Sequence, residues 1–283
     1  MNGSVGFVGL GAIGKPMAQR LLAWPGGLVV YDVAPEPLAE LERAGAKVAG
    51  SVAELARGAG LVCLMVRDDA QVRQVLAEIL DAAEPGLVVA IHSTVAPGTP
   101  EELAASAAAR GIRVIDAPVS GGGMGAADGS LAILVGGDDE AFAAARDALR
   151  LMGRRVVLAG PIGAGTRLKL ARNLLHFVAF AAAGEAARLA EAAGLDLIAL
   201  GKVVRHTDAI TGGPGAVLIR DTTAPMAPDD PFRGLLQHAR TLGEKDLGFA
   251  VELAERLGVD VPLARRALRD LGPALGFPPE EET

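Results

Sequence analysis

The sequence predicts an α/β fold: a doubly wound, mainly parallel sheet, then a long interdomain helix and an all-α second domain. Three observations predict it. Short apolar runs alternate with helical stretches through the first half of the chain, the pattern that buries parallel strands beneath helices on both faces. From Thr166 to Ala193 no proline interrupts an Ala/Leu-rich helical pattern that only Gly184 weakens. Almost everything beyond it again reads as helix.

Taken in order, "SVGFVGL" (4–10), "LVVYD" (28–32), "LVCLMV" (61–66), "LVVAI" (87–91), "IRVIDA" (112–117), "LAILVG" (131–136) and "RRVVLA" (154–159) read as buried strands. Helices are expected between them near 12–23, 35–44, 51–58, 69–80, 99–110 and 138–151. Asp68 and Asp69 precede "AQVRQVLAEIL" as helix caps. The pattern changes after "GPIGAG" (160–165), which places a domain boundary near residue 162. Residues 1–162 form the first domain and 163–283 the second, with 163–193 as the linking helix. Further helices are expected at 195–206, 214–220, 232–257 and 262–274. The Pro/Asp-rich "DTTAPMAPDDPF" (221–232) reads as a surface connection, and the tail "PPEEET" as frayed.

At 283 residues, 51% apolar and 22% charged, the chain can bury a large core. Its net charge of −7 lacks the basic footprint that nucleic-acid binding needs. Cys63 is the only cysteine and lies in an apolar run, so no internal disulfide is possible and a buried structural thiol is expected. His92, His176, His206 and His238 are scattered without ligand spacing, and no metal is implied. No charge-free run reaches membrane-spanning length, and "MNGSVGFVGLG" enters a strand at once, so neither a membrane span nor a leader is expected. A cytoplasmic protein is expected.

"GLGAIG" sets Gly9, Gly11 and Gly14 in GxGxxG spacing between an N-terminal strand and a helix. In that Rossmann-type context the first glycine allows the turn and the second admits a pyrophosphate to the backbone. The third lets helix and strand close-pack. Asp32 ends the second strand, where a carboxylate accepts from the adenosine ribose hydroxyls and repels a 2′-phosphate. Val33 and Ala34 offer that phosphate no arginine, so NAD is favoured over NADP.

Two further segments carry chemistry. In "KLARNLLHF", Asn173 and His176 follow Lys169 by four and seven residues, which returns all three to one face of an apolar helix. "DAPVSGGG" (116–123) can present a hydroxyl and backbone N–H groups to an anion, or form a plain glycine-rich loop. His176 can line a pocket or satisfy a buried partner, and His206 and Asp208 can contact substrate or cap a helix.

Through four ordered blocks, "GFVGLGAIGKPMA", "DAPVSGG", "GAGTRLKLARN" and "GEKDLGFA", nearly the whole chain resembles the β-hydroxyacid dehydrogenase family. The resemblance implies a Rossmann domain, a long interdomain helix and an all-helical domain through which the chain forms a homodimer or homotetramer. It implies that Gly9, Gly11, Ala12, Ile13 and Gly14 bind the cofactor pyrophosphate, with Met65 and Val66 bordering the dinucleotide. "HSTVAPGT" places Thr94 by the nicotinamide ribose, and Lys245 matches a lysine near the cofactor. Ser120, Gly121 and Gly122 match the turn that holds the substrate carboxylate, Lys169 the catalytic lysine and Asn173 its substrate-orienting partner. His176, on the Lys169 face, is a further candidate substrate contact.

The implied reaction is hydride transfer between NAD and a small β-hydroxy acid or its semialdehyde. Lys169 would serve as acid and base, with Leu170, Leu174 and Phe177 burying it and Arg172 repelling its charge. The chain departs from the family in carrying Arg172 where paired asparagines are common and Ile13 in place of a methionine. Two alternatives share the fold: an imine reductase, which usually replaces the catalytic lysine, and a non-catalytic dinucleotide-binding module, which lacks it. The polar face of "KLARNLLHF" is expected to look into a cleft between the domains.

Overall fold

The computed structural model describes residues 3–277, so the tail "PPEEET" lies outside the described residues. Two compact units emerge, Met1–Arg172 and Asn173–Thr283.

In the first unit, β1 (Ser4–Val8), α1 (Gly14–Leu21), β2 (Leu28–Tyr31), α2 (Pro35–Arg43), β3 (Lys47–Val48) and α3 (Val52–Ala56) lead into β4 (Ala59–Leu64). Then come α4 (Asp69–Ala82), β5 (Val88–Ile91), α5 (Thr99–Ala108) and β6 (Arg113–Asp116). The remainder is β7 (Val119–Ser120), α6 (Gly122–Ala127), β8 (Ala132–Gly136), α7 (Asp139–Met152) and β9 (Arg155–Gly160). The strand order is β3-β2-β1-β4-β5-β6-β8-β7, with β9 also paired to β8. The first five pairings, from β3 to β6, are parallel. At the far edge β8 runs antiparallel to β6 and β7, and parallel to β9.

Alternation along each strand explains why the runs are apolar throughout. Phe7, Cys63 and Ala90 enter one core with Met17 and Leu149, from α1 and α7. Val8, Val62, Leu64 and Val89 enter the other with Leu55, Leu76 and Leu103, from α3, α4 and α5. A strand buried on both faces needs apolar residues at successive positions. Polar side chains define several helix starts: Ser51, Asp68 and Asp138 accept from the Glu54, Gln71 and Ala141 N–H groups. Asp69 does not cap α4. Its carboxylate accepts from the Ala96 N–H at 3.1 Å and the Thr99 hydroxyl at 2.6 Å, tying α4 to the start of α5.

α8 (Ala164–Ala192) crosses from the first unit into the second, and the division falls inside it. The second unit continues with α9 (Leu197–Thr211), α10 (Arg233–Leu257) and α11 (Pro262–Ala274). Residues 214–220 are not a helix; only a 3₁₀ turn, Gly213–Gly215, forms there. Gly212 and Gly213 both take positive φ, which ends α9 in the left-handed conformation that glycine favours. Asp196 caps α9, and the carboxylate of Glu185 on α8 accepts from the Leu263 and Ala264 N–H groups that open α11. A small core of Met226, Leu236, Leu275 and Phe277 lies beneath Arg233 and Arg240, whose guanidinium groups stand 5.3 and 5.7 Å from the Phe277 ring centre. Among the described residues no helix is long and apolar enough to cross a membrane.

Candidate active site

The glycine loop after β1 shows three glycines with different reasons. A Cβ on Gly9, which has φ +96°, would collide with the Met65 carbonyl, and one on Gly14 with the Gly9 carbonyl. These two are required by the chain's own packing. A Cβ on Gly11 would meet no atom of the described residues within 4 Å, so the missing side chain there opens space to the outside. α1 begins nearby without a side-chain cap and without an acidic residue in its first turn. Its leading N–H groups therefore face that space with their partial positive charge uncancelled.

A cavity of about 560 Å³ lies over this loop, lined by Gly9, Gly11, Ala12, Ile13, Gly14, Asp32, Met65 and Val66. Asp32 is locked in place, accepting from the Leu10 N–H at 2.5 Å and the Ala34 N–H at 2.8 Å. A carboxylate with two oxygens retains further lone pairs for ribose hydroxyls. The donor set, the open Gly11 and the uncapped helix fit a nicotinamide dinucleotide.

The cavity also takes Tyr31, Val33, Val52, Arg67 and a stripe of α4 comprising Gln71, Gln74, Val75 and Glu78. Sequence reasoning missed these residues. Those on α4 share one face beside the buried Val72, Leu76 and Ile79, and a mixed polar face of that kind is what any solvated helix shows, so the sequence carries no local signal for them. The Arg67 side chain is turned to Asp68, at 3.1 Å. Two expected cofactor residues are not among the lining: Thr94, exposed just after β5, and Lys245, on α10 of the second unit and ion-paired with Asp246 at 3.1 Å.

Ser120 belongs to β7, paired with Ala132 of β8, and Gly121 and Gly122 follow with φ of +133° and +63°. The turn opens α6, whose Gly123 would place a Cβ 3.3 Å from the Ala12 carbonyl. The expected anion-binding turn and the glycine loop are therefore neighbours.

Lys169 is buried, at 8% exposure. Its burial does not come from Leu170, Leu174 and Phe177, which are 36%, 70% and 59% exposed. Those residues lie to one side of the Lys169 face, whereas Gly165 and Thr166, one turn earlier on that face, are buried. Burial lowers the Lys169 pKa from its ordinary value, and the nearby Arg172 charge lowers it further. His176 is half-buried and packs on aromatic rings, 4.2 Å from the Phe180 centroid and 5.4 Å from that of Phe177. His206 and Asp208 lie exposed on α9.

Residues 4–160 match the family described as the NAD binding domain of 6-phosphogluconate dehydrogenase. Residues 163–271 match that described as NAD-binding of NADP-dependent 3-hydroxyisobutyrate dehydrogenase. An uncharacterized oxidoreductase of Mycobacterium tuberculosis is 53% identical over 97% of this chain and 94% of its own length. An NAD-dependent L-serine dehydrogenase of Pseudomonas aeruginosa is 34% identical over 93% of this chain and 89% of its own. Among solved structures, Mycobacterium tuberculosis 3-hydroxyisobutyrate dehydrogenase with L-serine superposes with a TM-score of 0.69 at 31% identity, covering 96% of this chain and 93% of that one. The chain belongs to the β-hydroxyacid dehydrogenase family, whose members oxidise CH–OH groups.

Proposed function

We propose that the protein is an NAD-dependent dehydrogenase that interconverts a small β-hydroxy acid and its semialdehyde, with Lys169 as the group that moves the hydroxyl proton. The observation that carries this reading is the buried lysine on α8, its pKa lowered, one helical turn before Asn173. An ordinary exposed lysine would be protonated at neutral pH and unable to act as a base. In the oxidising direction the neutral Lys169 Nζ accepts the hydroxyl proton, and in the reducing direction its ammonium returns it. Asn173 hydrogen-bonds the substrate without titrating, and Ser120, Gly121 and Gly122 hold the substrate carboxylate. When bound, NAD supplies the hydride acceptor at its nicotinamide. Asp32 in the cavity supports NAD over NADP, since a fixed carboxylate repels a 2′-phosphate.

The active form is a homo-oligomer built through the second unit. α9 has no buried residue, yet it carries Leu197, Ile198, Val203, Val204 and Ile210 exposed. An apolar helix surface of this kind needs a cover.

The test is absorbance at the reduced-nicotinamide band with purified protein, NAD or NADP, and a panel of β-hydroxy acids that includes L-serine and 3-hydroxyisobutyrate. Turnover with NAD exceeding that with NADP supports the reading. Bound NADH with no turnover on any member of the panel removes the β-hydroxy acid assignment.

A further inference from the structure

Asp116, the last residue of β6, is completely buried, and none of the roles given to Lys169, Asn173 or the Ser120 turn accounts for it. Its two carboxylate oxygens are divided between two backbone donors far along the chain: Oδ1 accepts from the Gly163 N–H at 2.7 Å and Oδ2 from the Thr166 N–H at 2.5 Å. Gly163 precedes α8 and Thr166 lies in its first turn. The carboxylate thus caps the helix that carries Lys169.

The surrounding backbone is shaped to this contact. A Cβ on Gly136 of β8 would collide with Asp116 Oδ1 and would stand 2.8 Å from the Ala164 nitrogen. A Cβ on Gly165 would collide with the Leu134 carbonyl and would stand 2.9 Å from the Asp116 carbonyl. Both glycines let the first turn of α8 lie directly on the ends of β6 and β8. Lys169 follows Gly165 by four residues and Thr166 by three, so it shares their face. Its depth and direction are set by where that turn is held. Four residues past Asp116 on the other side comes Ser120, so a single strand end leads into the anion-binding turn and also fixes the lysine helix.

We infer that Asp116 is a positioning residue for the proton-transferring lysine: its carboxylate fixes the start of α8 against β6 and β8, and with it the burial of Lys169. This inference rests on the proposed role of Lys169. The carboxylate touches neither substrate nor cofactor and acts only through the helix.

The experiment compares the full-length wild type with Asp116→Asn, whose amide keeps one acceptor but sets an NH₂ against the second backbone donor. Lysines are reductively methylated with ¹³C-formaldehyde, the Lys169 signal is assigned by its loss in Lys169→Arg, and its titration midpoint is read by NMR. NADH binding and turnover are measured in parallel. In the wild type the Lys169 midpoint lies below the ordinary lysine value. In Asp116→Asn it moves back up, kcat falls about tenfold to a hundredfold because the reacting group is displaced, and NADH affinity stays within about twofold, since the glycine loop is unaffected.

An unchanged midpoint and unchanged kcat in Asp116→Asn would overturn the inference. A wild type with no dehydrogenase turnover would remove the proposed function, while the NMR midpoints would still decide whether Asp116 sets the environment of Lys169. Should the variant not fold, acid titration of the wild type decides. As Asp116 protonates, the Gly163 and Thr166 amide signals shift, and the Lys169 methyl signal shifts with the same midpoint. A Lys169 signal that stays fixed while both amides move would contradict the role.

Discussion

His92 shows how one buried side chain shapes the behaviour of the protein toward acid. Its Nδ1 donates to the Ala117 carbonyl at 2.8 Å, which leaves Nε2 as the unprotonated nitrogen, buried and without a hydrogen-bond partner among the described residues. The ring lies nearly parallel to Phe7, 6.3 Å away. Burial pushes its pKa down from 6.5 to about 4, against the raising effect of the Ala117 hydrogen bond. Between those two values the unfolded chain binds more protons than the folded one, so stability falls as pH drops through that window. The expected loss is about 2–3 kcal/mol between about pH 7 and 4.5, read from urea midpoints. His92→Gln removes this acid dependence, and a variant that loses stability as steeply as the wild type would show that another group is responsible.

Lys169 carries the opposite consequence for activity. Its lowered pKa places the rising limb of the oxidation rate at lower pH than an ordinary lysine would, and the reduction rate falls over the same interval. The pH profile of kcat in both directions checks this. Replacing Arg172 with Gln removes the smaller of the two causes and shifts both limbs toward higher pH.

Within the elements, Gly14 and Gly11 of the first turn give different outcomes when each receives a methyl group. Gly14→Ala forces apart α1 and the loop at Gly9, so a loss of about 1–3 kcal/mol of stability is expected. Gly11→Ala meets no protein atom, so its urea midpoint should match the wild type while NADH binding weakens at least about tenfold through the space that it fills. Equal binding by Gly11→Ala would remove the pyrophosphate from that position.

The strands that are buried on both faces, such as "LVCLMV" and "LVVAI", are legible in the sequence because burial demands uninterrupted apolar runs. β3, β7 and α6 are not. The first two are two residues long, and α6 is built on "GGMGAA", whose glycines carry no helical signal. The glycine loop and Asp32 are readable from spacing. The α4 stripe of the cavity and the clasp between Asp116 and Gly163/Thr166 depend on residues brought together across the fold, the latter across 47 and 50 positions. Local patterns hold no record of such pairs. Leu170, Leu174 and Phe177 mislead for a related reason: an apolar residue on a long helix marks a surface that will be covered, and its covering partner need not lie in the same chain.

Across the chain, the apolar surface of α9 and the exposed Leu174, Phe177 and Phe180 of α8 make association the expected state. Sedimentation should give at least twice the mass of one chain at micromolar concentration. Ile198→Asp with Val204→Asp should reduce it to the single-chain mass, whereas an unchanged mass would place the contact elsewhere. The family places the chemistry within hydride transfer, and the proposed reading assigns the proton to one buried lysine. The most direct measurement is NADH formation by the wild type and Lys169→Ala on the same substrate, with NAD binding measured alongside. Loss of turnover by about a hundredfold to ten-thousandfold, with NAD still bound, is the predicted result. Turnover by Lys169→Ala within about twofold of the wild type would contradict the role of Lys169 as acid and base.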